Sequence, residues 1–418
     1  AYQDSRNITA RLAHADPDNT QAQRDLSVSL NKVGDVAVMA GDLSAARQAY
    51  QDSRNITARL AHADPDNTQA QRDLSASLNK IGNAAVAAGD LKAARQAYQE
   101  GLGILTRLAH ADPDNTQAQR DLSVSLNKIG DAAVATGDLK AARQAYQDSH
   151  DILTRLAHAD PGNAQAQRDL SVSLNRVGDM AVAAGDSHAA RQAYQDSHDI
   201  LARLAETDSG NAQAQRDLSI AFEKVGNVAA AAGDLKAARQ AYHDSHTIRA
   251  RLAQADPGNA QAQRDLSVSM NKVGDVAVAA GDLPAARTAY QHSLDIATRL
   301  AHADPGNAQA QRDLSVSLEK VGDVALMAGD LQAARQAYED SHDIRVRLAQ
   351  ADLGNAQAQR DLSISHGKLG DLAERREDTA QAIHHFTQAR ALITALLGPD
   401  HDDTRYYQQR LDDLPGER

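Results

Sequence analysis

The feature that most constrains this chain is a 48-residue period kept without a slip: Tyr2, Tyr50, Tyr98, Tyr146, Tyr194, Tyr242, Tyr290 and Tyr338, with Phe386 closing the series. Register held over eight units excludes a fold built around one centre. Each unit must be a supersecondary element that buries its apolar side against its neighbours, so the 418 residues predict one repeat array, not two or three domains.

Within a unit Ala22, Leu26, Leu30, Val33, Ala37 and Ala40 recur at spacings of three and four, which predicts a helix A from about Thr20 to Ala40. Gly41 stands where a left-handed terminating residue belongs, and Asp42 follows as a side chain able to cap the next helix. Helix B then starts at Leu43, turns Ala46, Tyr50, Ser53, Ile56 and Leu60 inward, and ends near Asp64-Pro65. The fold class expected is all-α, an α-solenoid of antiparallel helical hairpins: residues 1–19 a leading helix B, 20–398 eight hairpins, 399–418 a capping helix and tail. The last segment suits a cap because it abandons the repeat's wording and sets Tyr406, Tyr407 and Leu411 among charges. Opening at Ala1, inside a unit, is expected of a piece of a longer protein. Gly101 and Gly103 mark one B helix as weaker than its equivalents.

Leu30-x2-Val33-Gly34-x2-Ala37, then Ala46-x3-Tyr50 and Asp64-Pro65, resembles the tetratricopeptide repeat over essentially the whole chain. It departs from that family at Leu30 and Ala37, and in length, each helix being about one heptad longer than the 34-residue pattern. The helix-interior Gly34 reads as the point where helix A approaches Ala46 of helix B. The resemblance, to an extended variant of bacterial type, implies a non-enzymatic scaffold or sensor arm of a multidomain protein. It also implies a protein or peptide partner on a concave face lined by helices A. The family's carboxylate clamp does not carry over, because its Lys and Asn positions hold Asn31 and Asp35.

On a helical wheel Gln21, Arg24, Val28, Asn31, Asp35 and Val38 share the stripe opposite the core. Repetition turns them into candidate groove residues: Arg72, Arg120, Arg168, Arg216, Arg264 and Arg312 as a basic rail, Asp131, Asp179, Asp275 and Asp323 as an acidic one, and Asn127 and Asn175 between. A competing reading pairs each Arg with a carboxylate of its own or the next unit. The segment QAQRDLS, at 21–27, is unchanged in all eight copies while helix B varies, which either a groove or inter-unit packing would impose.

Other chemistries find little support. With 56 acidic against 44 basic residues and few aromatics, of which nine sit in the Tyr50 register and Phe222 in the Leu30 register, nucleic acid is a poor partner. No apolar run is long enough for a membrane, no cofactor motif is present, and a cytoplasmic protein is expected. His14, His62, His110, His158 and His302 form one register, His150, His198, His246 and His342 another, eight residues away and too far apart for a shared metal. The recurrent DSHD at 148–151, 196–199 and 340–343 reads as solvated helix surface, not as acid–base machinery. A structural spacer, or end-to-end self-association through the uncapped N-terminal face, is the alternative function.

Overall fold

The computed structural model describes residues 2–39 and 41–414, in two compact units, residues 1–204 and 205–418. The described residues are helices joined by short turns. The first unit holds α1 (Tyr2–Ala15), α2 (Thr20–Met39), α3 (Leu43–Ala63), α4 (Thr68–Ala87), α5 (Leu91–Ala111), α6 (Thr116–Ala135), α7 (Leu139–Ala159), α8 (Ala164–Ala183) and most of α9 (Ser187–Thr207). The second continues with α10 (Ala212–Ala231), α11 (Leu235–Ala255), α12 (Ala260–Ala279), α13 (Leu283–Ala303), α14 (Ala308–Met327), α15 (Leu331–Ala351), α16 (Ala356–Arg375), α17 (Thr379–Leu397) and α18 (Asp402–Asp412). Helix A thus begins and helix B begins where the periodicity puts them; Ala40, Ala1 and residues 415–418 lie outside the described residues, as does the side chain of Tyr2.

Local chemistry sets the boundaries. Gly41 has φ 77°, and Asp42 accepts a hydrogen bond from the Ala45 amide at 2.9 Å, capping α3. Asn67 caps α4 in the same way through the Ala70 amide at 3.0 Å. Between them, Asp and Asn alternate as caps down the array.

Each core is small and repeated. Ala46 and Tyr50 of α3 pack with Ala84 of α4, and Ala94 and Tyr98 pack with Ala132 in the same way one unit on. Against expectation, Gly34 does not make room for Ala46. A Cβ there would lie 2.4 Å from Cε1 of Tyr50, so the glycine is the seat of the tyrosine ring. The tyrosine is large and fixed by its hydroxyl, and a Cβ cannot coexist with it.

Two substitutions separate the roles of glycine in these helices. Gly130→Ala would place its Cβ 2.3 Å from the Tyr146 ring. It is expected to destabilise by about 1–3 kcal/mol although alanine is the better helix former. Gly103→Ala meets nothing within 4 Å and is expected to stabilise α5 by about 1 kcal/mol. Denaturation midpoints and amide exchange in α5 check both. Gly101 is a third case: it replaces the serine of its register, and Ser75 donates to its carbonyl at 3.2 Å. α5 stays unbroken across both glycines.

Serines of both helices are buried, Ser53 as its inward spacing predicts. Ser27, Ser75, Ser123 and Ser171 of helices A, and Ser53 and Ser149 of helices B, are buried. Ser27 donates to the Arg24 carbonyl of its own helix at 2.7 Å, and Ser53 donates to the Ser27 carbonyl at 3.0 Å. A hydroxyl satisfied by a nearby carbonyl is buried at little cost, and its small size lets the two helices approach closely.

At the C-terminus α18 takes the place of a further helix A. Tyr407 lies against Gly367, Arg410 reaches Asp371 at 2.7 Å and stacks over Phe386, and Arg360 reaches Asp403 at 3.3 Å.

Candidate functional site

Every polar letter of QAQRDLS has a partner. In the first copy Gln21 donates to Asp25 at 2.7 Å, Gln23 to the Ala13 carbonyl at the end of α1 at 3.0 Å, and Arg24 to Asp73 of the next helix A at 2.5 Å. The pairing recurs as Arg72 with Asp121 and Arg216 with Asp265, both at 2.5 Å, Arg312 with Asp361 at 2.5 Å, Arg120 with Asp169, and Arg264 with Asp313. Arg168, in the same register, is likewise engaged. The bond to the carboxylate raises the guanidinium of Arg24, Arg120, Arg216 and Arg264 further above its ordinary value. So within each compact unit these arginines join successive hairpins, as the competing reading of Arg24 had it, and this joint is reason enough for the segment's constancy.

The acidic rail is also engaged. Asp35 accepts from the Tyr50 hydroxyl at 2.7 Å and from Lys80 of the next unit at 2.6 Å. Asp275 takes Tyr290 and Lys320, Asp323 takes Tyr338 and Lys368, all at 2.7 Å, and Asp131 takes Tyr146 at 2.7 Å together with Arg176. Asp179 accepts from Tyr194 at 2.6 Å. Burial first, then the neighbouring carboxylate, raises the hydroxyls of Tyr50, Tyr146 and Tyr194 beyond their usual range. Where Asn83 and Asn227 stand in for the acid, Tyr98 and Tyr242 are pushed up only to about 12.

Asn127 and Asn175 are half-buried, and their Oδ1 atoms are enclosed without a hydrogen-bond partner. The register changes in two units. Glu223 and Glu319 replace Asn, and at the facing position of helix B Arg249 and Arg345 replace the Leu105 and Leu153 of other units. Arg249 is 4% and Arg345 3% exposed. Glu223 and Arg249 lie 2.8 Å apart, Glu319 and Arg345 2.6 Å apart, the latter aligned as an ion pair more than as a hydrogen bond. Each guanidinium also donates to a buried serine, Ser219 or Ser315, and to the carbonyl of Asp265 or Asp361. This paired exchange was visible as two substitutions that occur together at a fixed spacing. Beside the two arginines open equivalent cavities of about 300 and 410 Å³, each also bounded by the Arg–Asp joint of its unit.

With the charges engaged, the A-helix stripe exposes its apolar members. Val28, Val124 and Val172, and Val38, Val86, Val134 and Val182, are 37–53% exposed on α2, α4, α6 and α8 of the first unit.

Histidine behaves differently from expectation in one register. His150, His246 and His342 are half-buried, with Nδ1 2.9–3.1 Å from Ser173, Ser269 and Ser365 of the next helix A, so DSHD is not simply solvated surface. Burial lowers all three below the usual imidazole value. His366 and His385, which fall outside both registers, have Nδ1 atoms 3.1 Å apart across the last hairpin.

No family model matches the chain, and no curated protein matches it. Solved structures do. The apo form of RapI aligns with 93% of this chain and 97% of its own, at 8% identity and TM-score 0.53. A Rap protein complexed with competence and sporulation factor covers 94% and 97% at 11% identity and TM-score 0.48. A tetratricopeptide repeat protein from Parabacteroides merdae covers 81% and 97% at 12% identity and TM-score 0.41. The fold is thus an all-α helical-repeat array of the kind seen in the apo form of RapI. Among the described residues no helix is long and apolar enough to cross a membrane.

Proposed function

We propose that the chain is a non-enzymatic scaffold that holds a protein or peptide partner on the A-helix face. The observation that carries this reading is the pair of exposed valine registers on α2, α4, α6 and α8. The valines recur at fixed registers on successive A helices, with Ala76 in place of one, and exposed apolar side chains repeated on one face favour a protein contact more than single scattered ones do. The flanking Arg–Asp and Lys–Asp joints are internally neutralised, so the face favours a partner that contributes apolar side chains over one that contributes net charge. The groove residues named from sequence, Arg72 to Arg312 with the Asp and Asn registers, then frame the surface and fix the spacing of its units.

Val124→Glu with Val172→Glu tests this in a pull-down with mass spectrometry. These residues are exposed, so circular dichroism and melting are expected to match the parent, while a partner captured by the parent is lost. Capture of the same partner by both proteins counts against the reading.

A further inference from the structure

The last hairpin breaks the repeat at two core positions at once. The Leu30 register, occupied by leucine, phenylalanine or methionine in every other unit, holds His366 on α16, and the Ala49 register, alanine throughout, holds His385 on α17. Random drift at two apolar positions would not be expected to bring both side chains to the same spot. Their Nδ1 atoms are nevertheless 3.1 Å apart, and the ring of His342 on α15 lies 4.5 Å from that of His366 and 6.4 Å from that of His385.

We propose that His366 and His385, joined by His342, bind a divalent cation of the zinc, copper and nickel group at the junction of α15, α16 and α17. Imidazole nitrogens bind zinc at about 2.0–2.1 Å, so two of them on one tetrahedral ion lie about 3.3 Å apart, close to the separation already present. The tautomer of His342 is fixed by its neighbours. Ser365 donates its hydroxyl hydrogen to the Leu362 carbonyl at 2.8 Å and so must accept from His342 Nδ1–H at 2.9 Å. That leaves Nε2 of His342 as a bare lone pair, oriented by an outer-shell hydroxyl as metal-bound imidazoles commonly are. Among the described residues no three such side chains are already gathered around one point. The His366–His385 pair is therefore the preformed part; a shift of the His342 side chain brings the third nitrogen, and water takes the remaining position. Without a cation the two facing nitrogens hold one proton between them as a hydrogen bond.

The test is titration of the untagged, metal-stripped chain with Zn²⁺ at neutral pH, followed by calorimetry. About one Zn²⁺ per chain is expected to bind at this site. His366→Leu and His385→Ala each restore the residue that the other units carry, so both fold, and in each the uptake is expected to disappear. Ser365→Ala is expected to weaken it by about tenfold, because it removes the group that orients His342. His384→Ala, on the exposed side of α17, leaves it unchanged. The proposal is overturned if the parent takes up no stoichiometric Zn²⁺, or if the His366→Leu, His385→Ala double variant takes up as much as the parent, as binding to surface imidazoles such as His62 and His110 would produce.

Discussion

Glu319→Asn is expected to destabilise the second unit by about 3–5 kcal/mol, because it leaves the guanidinium of a buried arginine without its counter-charge. Arg345 is 3% exposed, and its remaining bonds, to the Ser315 hydroxyl and the Asp361 carbonyl, are to neutral groups. The asparagine itself is not at fault, since Asn127 and Asn175 occupy the same register opposite Leu153 and Leu201. Adding Arg345→Leu therefore recreates a combination the chain already uses, and the double variant is expected within about 1 kcal/mol of the parent, or above it. Arg345→Leu alone strands the less buried Glu319, which can turn toward water, so it is expected to cost less than Glu319→Asn. Denaturation of all four proteins, with amide exchange in α14 and α15, gives the coupling directly. A coupling near zero would mean that the ion pair is incidental.

The second large effect is acid lability of the C-terminal hairpin in metal-free protein. Burial, then repulsion from the imidazoles of His342 and His384 and, at His366, of His385, lowers His366 to about 3 and His385 to about 4. Glu339 on α15 opposes this only weakly at His385. In the unfolded chain both titrate near 6.5, so above about that pH neither state carries the extra protons and the stability is complete. As pH falls the unfolded state takes up protons that the folded state refuses, and stability is lost progressively toward the folded values. The loss is expected to reach about 2–4 kcal/mol by about pH 5, the range allowing for partial solvent relaxation around half-buried rings. Melting at two pH values checks it, and the His366→Leu, His385→Ala double variant should show a much flatter dependence. An equally steep dependence in that variant would place the acid sensitivity elsewhere, with His150 and His246 the next candidates.

The elements were legible in the sequence because they depend on local chemistry. Gly41 with Asp42, and Asp64 with Pro65, mark helix ends through backbone conformation and capping, which no distant contact overrides here. The direction of the stripe was legible too, from spacings of three and four. What a helical wheel could not supply was the destination of the polar side chains. Ser27 belongs to a polar run by residue type, yet its hydroxyl donates to the Arg24 carbonyl of its own helix and is buried. Arg24 offers its charge to a groove on the wheel, but the partner, Asp73, is 49 residues on and becomes adjacent only when units stack. The seat of Gly34 went to Tyr50 instead of Ala46 for the same reason: a ring reaches farther than a Cα spacing suggests. His366 and His385 were readable as departures from two registers, though not as a pair, because 19 residues of sequence separate side chains that only the hairpin brings together.

On helix A the charged residues join successive hairpins, and the proposed function assigns the partner to the exposed valines. The most direct measurement compares Arg72→Glu with the Val124→Glu, Val172→Glu variant in melting and in partner capture side by side. Arg72→Glu opposes Asp121 with a like charge and is expected to lower the melting temperature while capture at low temperature persists. The valine variant is expected to melt within a few degrees of the parent and to capture nothing. If instead Arg72→Glu melts like the parent but loses the partner, while the valine variant still captures it, the arginine rail is the binding surface and the account is contradicted.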